Sequence, residues 1–277
     1  MMDKPVKVAI IGGSGKMGQW FARFLLQEGK QVVITGRDPR KLAAAQQALG
    51  VKTATNAEAV KWADVVVLSV SIDNVAAVIK EVAPHIKPHQ LVIDITSVKE
   101  QPVEVMHQYI KTGTVLGVHP MFGPGATSIS GQNFVLTPTN EAESALANKV
   151  KDYLEARGAE VTIMPPRQHD ELMAVVLGLS HFIGLVAADT LANRDNLEAM
   201  KAVSGSTFKL LLSLVKAVIY EDPQFYSSLQ MSLPHLPQIE HQFGDNAHIW
   251  ADMVASKDRQ AFIQRMNELK NRLEKSP

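Results

Sequence analysis

Residues 6–20 read V-K-V-A-I-I-G-G-S-G-K-M-G-Q-W, and this stretch restricts the fold more than any other. Val8, Ala9, Ile10 and Ile11 form an unbroken apolar run, the pattern of a strand buried on both faces. Glycines follow at once, and behind them apolar residues recur at helical spacing. A strand that turns sharply into a helix presents backbone N–H groups and the helix's positive end to whatever occupies the turn, which suits phosphate. Gly13 is then expected to make the tight turn, Gly15 to let backbone approach a pyrophosphate, and Gly18 to let the helix lie close on the strand. Ser14, Lys16 and Met17 complete the loop. A lone G-x-G-x-x-G is weak, since a glycine-rich turn can be only a turn. Here a second apolar run at residues 31–35 follows at the distance of a β-α-β unit, as a dinucleotide fingerprint requires.

Strand and helix patterns alternate from there to residue 164. The first helix, residues 17–27, carries Met17, Trp20, Phe21, Phe24 and Leu25 on one face. The second strand ends in T-G-R-D-P, where an NAD-binding chain would carry Asp or Glu for the ribose 2′-hydroxyl. The place is neutral and Arg37 follows. An arginine can pair with a 2′-phosphate that a carboxylate would repel, which tilts the choice toward NADP over NAD. The alternative is that Arg37 stacks on adenine or faces solvent. The pattern continues with a helix over 39–49, a short strand over 51–53, a helix that Asn56 would cap, and a strand over 64–70. A helix over 73–83 closed by Pro84, a strand over 91–95, a helix with Pro102 in its first turn, and a sixth strand over 115–118 come next. Strands over 132–136 and 159–164 flank a helix over 140–157.

Pro165 and Pro166 end the alternation, and the remainder is helical: 168–192, 197–221, 224–243 and about 247–273, with Pro234 and Pro237 predicting a kink or break in the third window. The expected architecture is α/β: a Rossmann-type doubly wound, mostly parallel sheet over 1–166, followed by an all-helical domain over 167–277.

Lys plus Arg equals Asp plus Glu at 28 each, so no net field favours nucleic acid or an anionic membrane. Cysteine is absent, which excludes disulfides, thiolate metal sites and cysteine nucleophiles and suits the cytoplasm. No apolar run is expected to reach bilayer-spanning length, and M-M-D-K-P leads into the first strand without a separate signal region. The expected location is therefore cytoplasmic. The apolar stretches 175–179 and 210–219 exceed what one helical layer buries alone. A homodimer through the helical domain would cover them, unless that face packs only on the first domain.

Polar candidates cluster after strands: Ser69, Val70 and Ser71, then Thr96, Ser97 and Lys99, then His119 at the head of H-P-M-F-G-P. In a doubly wound sheet these carboxyl ends form one rim, where ligands bind. A histidine there can take a hydroxyl proton as carbon gives up hydride, or it can be a structural cap.

G-G-S-G-K-M-G, L-S-V-S at 68–71, D-I-T-S-V-K at 94–99, G-V-H-P-M-F-G-P at 117–124, H-D-E-L-M-A at 169–174, S-H-F at 180–182 and E-D-P-Q-F-Y at 221–226 follow one another in a characteristic order. In that order the chain resembles the prephenate dehydrogenases, from about Val6 to beyond Phe262, and the expectation from this resemblance is a dehydrogenase without an attached chorismate mutase domain. The resemblance implies metal-free oxidative decarboxylation of prephenate to 4-hydroxyphenylpyruvate in tyrosine biosynthesis. It implies His119 as acceptor of the ring hydroxyl proton, Ser97 orienting that hydroxyl and His119, Lys99 setting the electrostatics, and His181 reaching substrate from the helical half across a cleft. Where the family places an arginine for a substrate carboxylate, this chain has Ala217 with Lys209 and Lys216 nearby. Lysine is a point charge and not a fork, which opens arogenate as an alternative substrate. His169 and Asp170 read as a helix-start or hinge pair. Two rival readings are an imine or β-hydroxyacid dehydrogenase on the same architecture, and a cofactor-sensing regulator without catalysis.

Overall fold

The apolar runs become strands of one sheet and the amphipathic stretches become its covering helices. The computed structural model describes residues 4–275. Among them eight strands, β1 (Lys7–Ile11), β2 (Gln31–Ile34), β3 (Lys52–Thr53), β4 (Val65–Leu68), β5 (Leu91–Asp94), β6 (Thr114–Pro120), β7 (Asn133–Thr137) and β8 (Glu160–Ile163), lie in the order β3-β2-β1-β4-β5-β6-β7-β8. Only the β6–β7 pair is antiparallel. The first six strands follow the doubly wound order, so the sheet's direction of growth reverses between β1 and β4, where a crevice opens at their carboxyl ends.

Helices α1 (Lys16–Gln27), α2 (Pro39–Leu49), α3 (Asn56–Trp62), α4 (Ile72–Val82), α5 (Glu100–Tyr109) and α6 (Glu141–Glu155) connect the strands. Alternation along β1 explains why it is apolar throughout. Val8 and Ile10 join Ile34, Trp20, Leu116, Phe134 and Leu146 in one core layer, while Ala9 and Ile11 join Leu68, Val75, Ile79, Val92 and Met106 in the other. Burial of each such large side chain contributes roughly 1.5–3 kcal/mol, so both faces of the sheet are held firmly.

Two local expectations are corrected. Asn56 is not the cap of α3. Thr55 is, its hydroxyl accepting from Glu58 N–H while the Glu58 carboxylate accepts from Thr55 N–H, a reciprocal capping box. His119 does not follow the sixth strand but lies inside it, because β7 pairs with β6 through Pro120. The neighbouring β5 ends at Asp94, opposite Gly117. His119 therefore sits on an overhang past the carboxyl end of β5.

Contacts divide the described chain into two compact units: residues up to Met173 with Tyr220–Pro234, and Ala174–Ile219 with the residues from His235 on. After the sheet the first unit holds α7 (Pro166–Met173). In the second, a π-helical turn (Ala174–Leu179) leads into α8 (Ser180–Ala192), followed by α9 (Leu197–Ala202) and α10 (Ser206–Ile219). Helix α11 (Pro223–Ser232) belongs to the first unit, and α12 (Leu236–Ala255) and α13 (Arg259–Glu274) to the second. Within the second unit α8 and α10 pack closely, and a Cβ at Gly184 would lie 2.6 Å from the Val218 side chain.

The third and fourth expected helical windows are redrawn. Pro234 does break the third window, and His235 behind it takes a left-handed φ of 60° before α12 begins. Pro237 falls in the first turn of α12, where its missing N–H has no partner to lose. The next break comes at Lys257, φ 58°, with Asp258 capping α13 through Ala261 N–H.

The expectation that no apolar run reaches bilayer length is also corrected. Residues Pro166–Ala192 form 27 helical residues with a window of mean hydropathy 1.9, enough to cross a membrane by length and composition alone, and 22% of that window is buried. The polar start of the stretch, His169, Asp170 and Glu171, hides this in the sequence.

Candidate active site

The β1–α1 loop is built for close backbone approach. The left-handed residue is Gly12, φ 80°, so the strained step of the turn lies one position before Gly13. Gly13 has its own constraint, since a Cβ there would lie 2.7 Å from Ile34 Cβ, and at Gly18 a Cβ would lie 2.6 Å from Gly13 Cα. Gly15 stands at the N-cap of α1 and offers no side-chain cap, leaving the first N–H groups of the helix to a ligand. Lys16 is exposed and lies 3.7 Å from the Glu221 carboxylate, and Met17 is half-buried against the core.

A cavity of about 660 Å³ opens at the β1–β4 switch point, lined among others by Gly12, Ser14, Gly15, Arg37, Ser69 and Val70. These residues fit a dinucleotide: a glycine-walled floor, a free helix N-terminus and cations on the far wall. Arg37 donates from Nη1 to Asn74 Oδ1 at 2.9 Å. Lys41, which sequence reasoning passed over, lines the same wall. Asp38 also lines it, yet its carboxylate accepts from Arg40 and Lys41 N–H, as the N-cap of α2.

The second cluster lies along the same carboxyl edge. His119 is buried, 4% exposed. Its Nδ1 lies 2.8 Å from His169 Nε2, and His169 Nδ1 lies 2.6 Å from Asp170 Oδ1. The Asp170 carboxylate also accepts Lys99 N–H at 2.8 Å and Glu100 N–H at 2.9 Å, and so caps α5 from α7. His169 and Asp170 thus lie near the start of α7 as an interior pair, His169 in contact with the predicted base and Asp170 behind it. Fifty residues separate His169 from His119, and no local periodicity encodes their meeting. The signal available was a histidine and an aspartate at consecutive positions of an otherwise apolar helix face.

Desolvation first, then His169 and Lys99, hold the His119 pKa well below its ordinary value of 6.5. Its imidazole is therefore neutral at neutral pH, the form a proton acceptor needs.

Lys99 is fully buried, its ammonium paired with the equally buried Asp94 carboxylate and donating to the Val118 carbonyl at 3.0 Å. Burial pushes the Lys99 pKa down and Asp94 pulls it back up. Asp94 also accepts from Thr96 N–H and Thr96 Oγ1, which braces the β5–α5 turn. Ser97 is half-buried in that turn, and among the described residues its hydroxyl makes no hydrogen bond to His119. In the second unit His181 is half-buried on α8, where desolvation lowers its pKa, and Lys209, Lys216 and Ala217 are exposed on α10.

Comparison with known proteins decides the family. The nucleotide-binding domain of prephenate dehydrogenase matches residues 21–163, and its dimerization domain matches residues 165–268. The chain belongs to the prephenate dehydrogenase family. A Methanocaldococcus jannaschii protein described as a "probable arogenate/prephenate dehydrogenase" is 38% identical over 97% of this chain and 61% of its own length. The T-protein of Haemophilus influenzae is 29% identical over 96% of this chain and 66% of its own. The chain thus spans about three fifths to two thirds of the length of these curated relatives. Among solved structures, prephenate dehydrogenase from A. aeolicus, in complex with hydroxyphenyl propionate and NAD+, superposes with a TM-score of 0.78 at 21% identity, covering 99% of both chains, a likeness of fold.

Proposed function

We propose that this prephenate dehydrogenase family member oxidatively decarboxylates prephenate to 4-hydroxyphenylpyruvate with NAD or NADP, in tyrosine biosynthesis. One observation above all supports it: a buried, neutral histidine, His119, at the carboxyl edge of a nucleotide-binding sheet, its Nδ1 fixed by His169. A bound nicotinamide supplies the hydride acceptor. His119 accepts the proton of the ring hydroxyl as the carbon bearing it loses hydride. The bond to the ring carboxylate then breaks, its electron pair enters the ring to complete aromaticity, carbon dioxide leaves and the ring oxygen regains a proton. Ser97 orients the hydroxyl, and Lys99 contributes through the charge it places behind β6. His181, Lys209 and Lys216 are the proposed substrate contacts of the helical part, with lysines where an arginine would give a bidentate grip. The printed name of the M. jannaschii relative includes arogenate, and the same lysines favour testing it as a second substrate.

Purified protein assayed with prephenate and arogenate, each with NAD and NADP, tests the assignment. Cofactor reduction with at least one substrate is expected, and none in any of the four combinations contradicts it. The second unit exposes Val175, Val176, Leu185 and Val186, and we assign this apolar face to a homodimer in keeping with the matched dimerization domain. With balanced charge and no cysteine, such an enzyme suits the cytoplasm.

The lowered pKa of His119 fixes the sign of the pH dependence. The working form is unprotonated, so kcat/KM should stay level as pH falls through 6.5 and decline only at lower pH. A decline centred at or above 6.5 contradicts it.

NADP is the proposed preference, because Arg37 and Lys41 face the cavity while the Asp38 carboxylate is committed to α2. Arg37→Ala should weaken NADP binding about 10- to 100-fold, the loss of a charged hydrogen bond, and NAD much less. Titration with each cofactor measures this, and equal weakening of both rejects the 2′-phosphate role.

A further inference from the structure

A general base needs a lone pair on a defined nitrogen, and two side chains behind His119 determine which nitrogen that is. We propose that His169 and Asp170 form a positioning relay that locks His119 in the Nδ1–H tautomer and leaves its Nε2 as the proton acceptor. This rests on the functional reading above and deepens it by naming how the base is held.

The assignment follows from hydrogen-bond direction, starting at the carboxylate. Asp170 Oδ1 accepts Lys99 N–H and Oδ2 accepts Glu100 N–H, at the N-terminus of α5 where negative charge is favoured. Toward His169 the carboxylate is therefore an acceptor, and His169 Nδ1–H donates to Oδ1 across 2.6 Å. The relay takes His169 with a single N–H, the one on Nδ1 given to Asp170, and its Nε2 then bears a lone pair. The 2.8 Å bond between His169 Nε2 and His119 Nδ1 then has His119 Nδ1–H as its donor. The opposite tautomer of His119 would set two lone pairs against each other at that distance. His119 Nε2 is left bare.

Burial strengthens the relay. His169 is fully buried and Asp170 is 3% exposed, so water does not compete for these bonds. Because Asp170 caps α5, the direction of the His119 ring is tied to the backbone of the turn that carries Ser97. Free neutral histidine favours the Nε2–H tautomer, and the relay reverses that preference. Neither His169 nor Asp170 is required to touch substrate.

Long-range proton–nitrogen spectra of the full chain labelled with ¹⁵N-histidine test this without substrate. The chain has nine histidines, and the His119 signal is the one lost in His119→Asn. At neutral pH the expected pattern is a protonated Nδ1 and a bare Nε2. A protonated Nε2 overturns the relay. In kinetics, His169→Leu should lower kcat about tenfold or more, in the range seen when a group that orients an active imidazole is removed, with cofactor affinity unchanged. His169→Gln, whose amide oxygen can accept the same Nδ1–H, should recover most of the loss, and equal losses in both variants overturn the relay. A wild-type spectrum with Nδ1–H from a protein that turns over neither prephenate nor arogenate with either cofactor supports the relay and overturns the functional reading.

Discussion

His119→Asn is expected to keep cofactor binding and lose about two decades or more of turnover, the usual contribution of a positioned general base. The asparagine amide nitrogen falls near the place of Nδ1 and can still donate to His169 Nε2, so the buried network keeps its partner. What disappears is Nε2, the one nitrogen with a lone pair. The loss should fall on kcat, while the affinity for reduced cofactor, measured by fluorescence titration, stays near wild type because His119 does not line the nucleotide cavity. Near-normal kcat would reject the role of His119.

The second large effect concerns stability. Lys99 and Asp94 are each fully buried and form an ion pair. Lys99→Met removes one partner and leaves a carboxylate in the interior with its Thr96 bonds but no counter-charge. Breaking a buried pair from one side costs about 3–5 kcal/mol. For a chain of this size that corresponds to a fall in Tm of roughly 6–20 °C. Calorimetry measures it, and a shift within about 2 °C would show that Asp94 is neutral or solvated without Lys99. Lys99 thereby serves the site from behind: it braces the β5–α5 turn and binds the Val118 carbonyl next to His119.

Much of the nucleotide half was legible because it is local. A strand buried on both faces, a glycine turn and an amphipathic helix are neighbours in sequence, and β1, α1 and β2 appear where their patterns lie. Finer assignments failed where a neighbour competes for the same task. The left-handed step falls at Gly12, one position before the glycine expected to make the tight turn, and Thr55 displaces Asn56 as cap because Glu58 stands three residues on. The end of β6 depended on its antiparallel partner β7, which no pattern within 115–118 reveals. The site itself was half legible. The place of His119 at the sheet's carboxyl edge could be read from the sequence, whereas its hydrogen-bond partner His169, and Asp170 behind it, come from a helix distant in sequence. That Lys99 is buried against Asp94 is a tertiary fact that no local pattern carries. The helical windows were sound in kind and misdrawn in extent, since a left-handed Lys257 leaves no mark on composition.

The central claim is that a proton taken by His119 is coupled to hydride loss and decarboxylation in one substrate. Its most direct measurement is the stoichiometry of a single turnover with NAD or NADP and prephenate labelled at its ring carboxylate. One labelled carbon dioxide and one 4-hydroxyphenylpyruvate per reduced cofactor are predicted, all three falling together in His119→Asn. Reduced cofactor without labelled carbon dioxide, or all three products at undiminished rate in the variant, would contradict it.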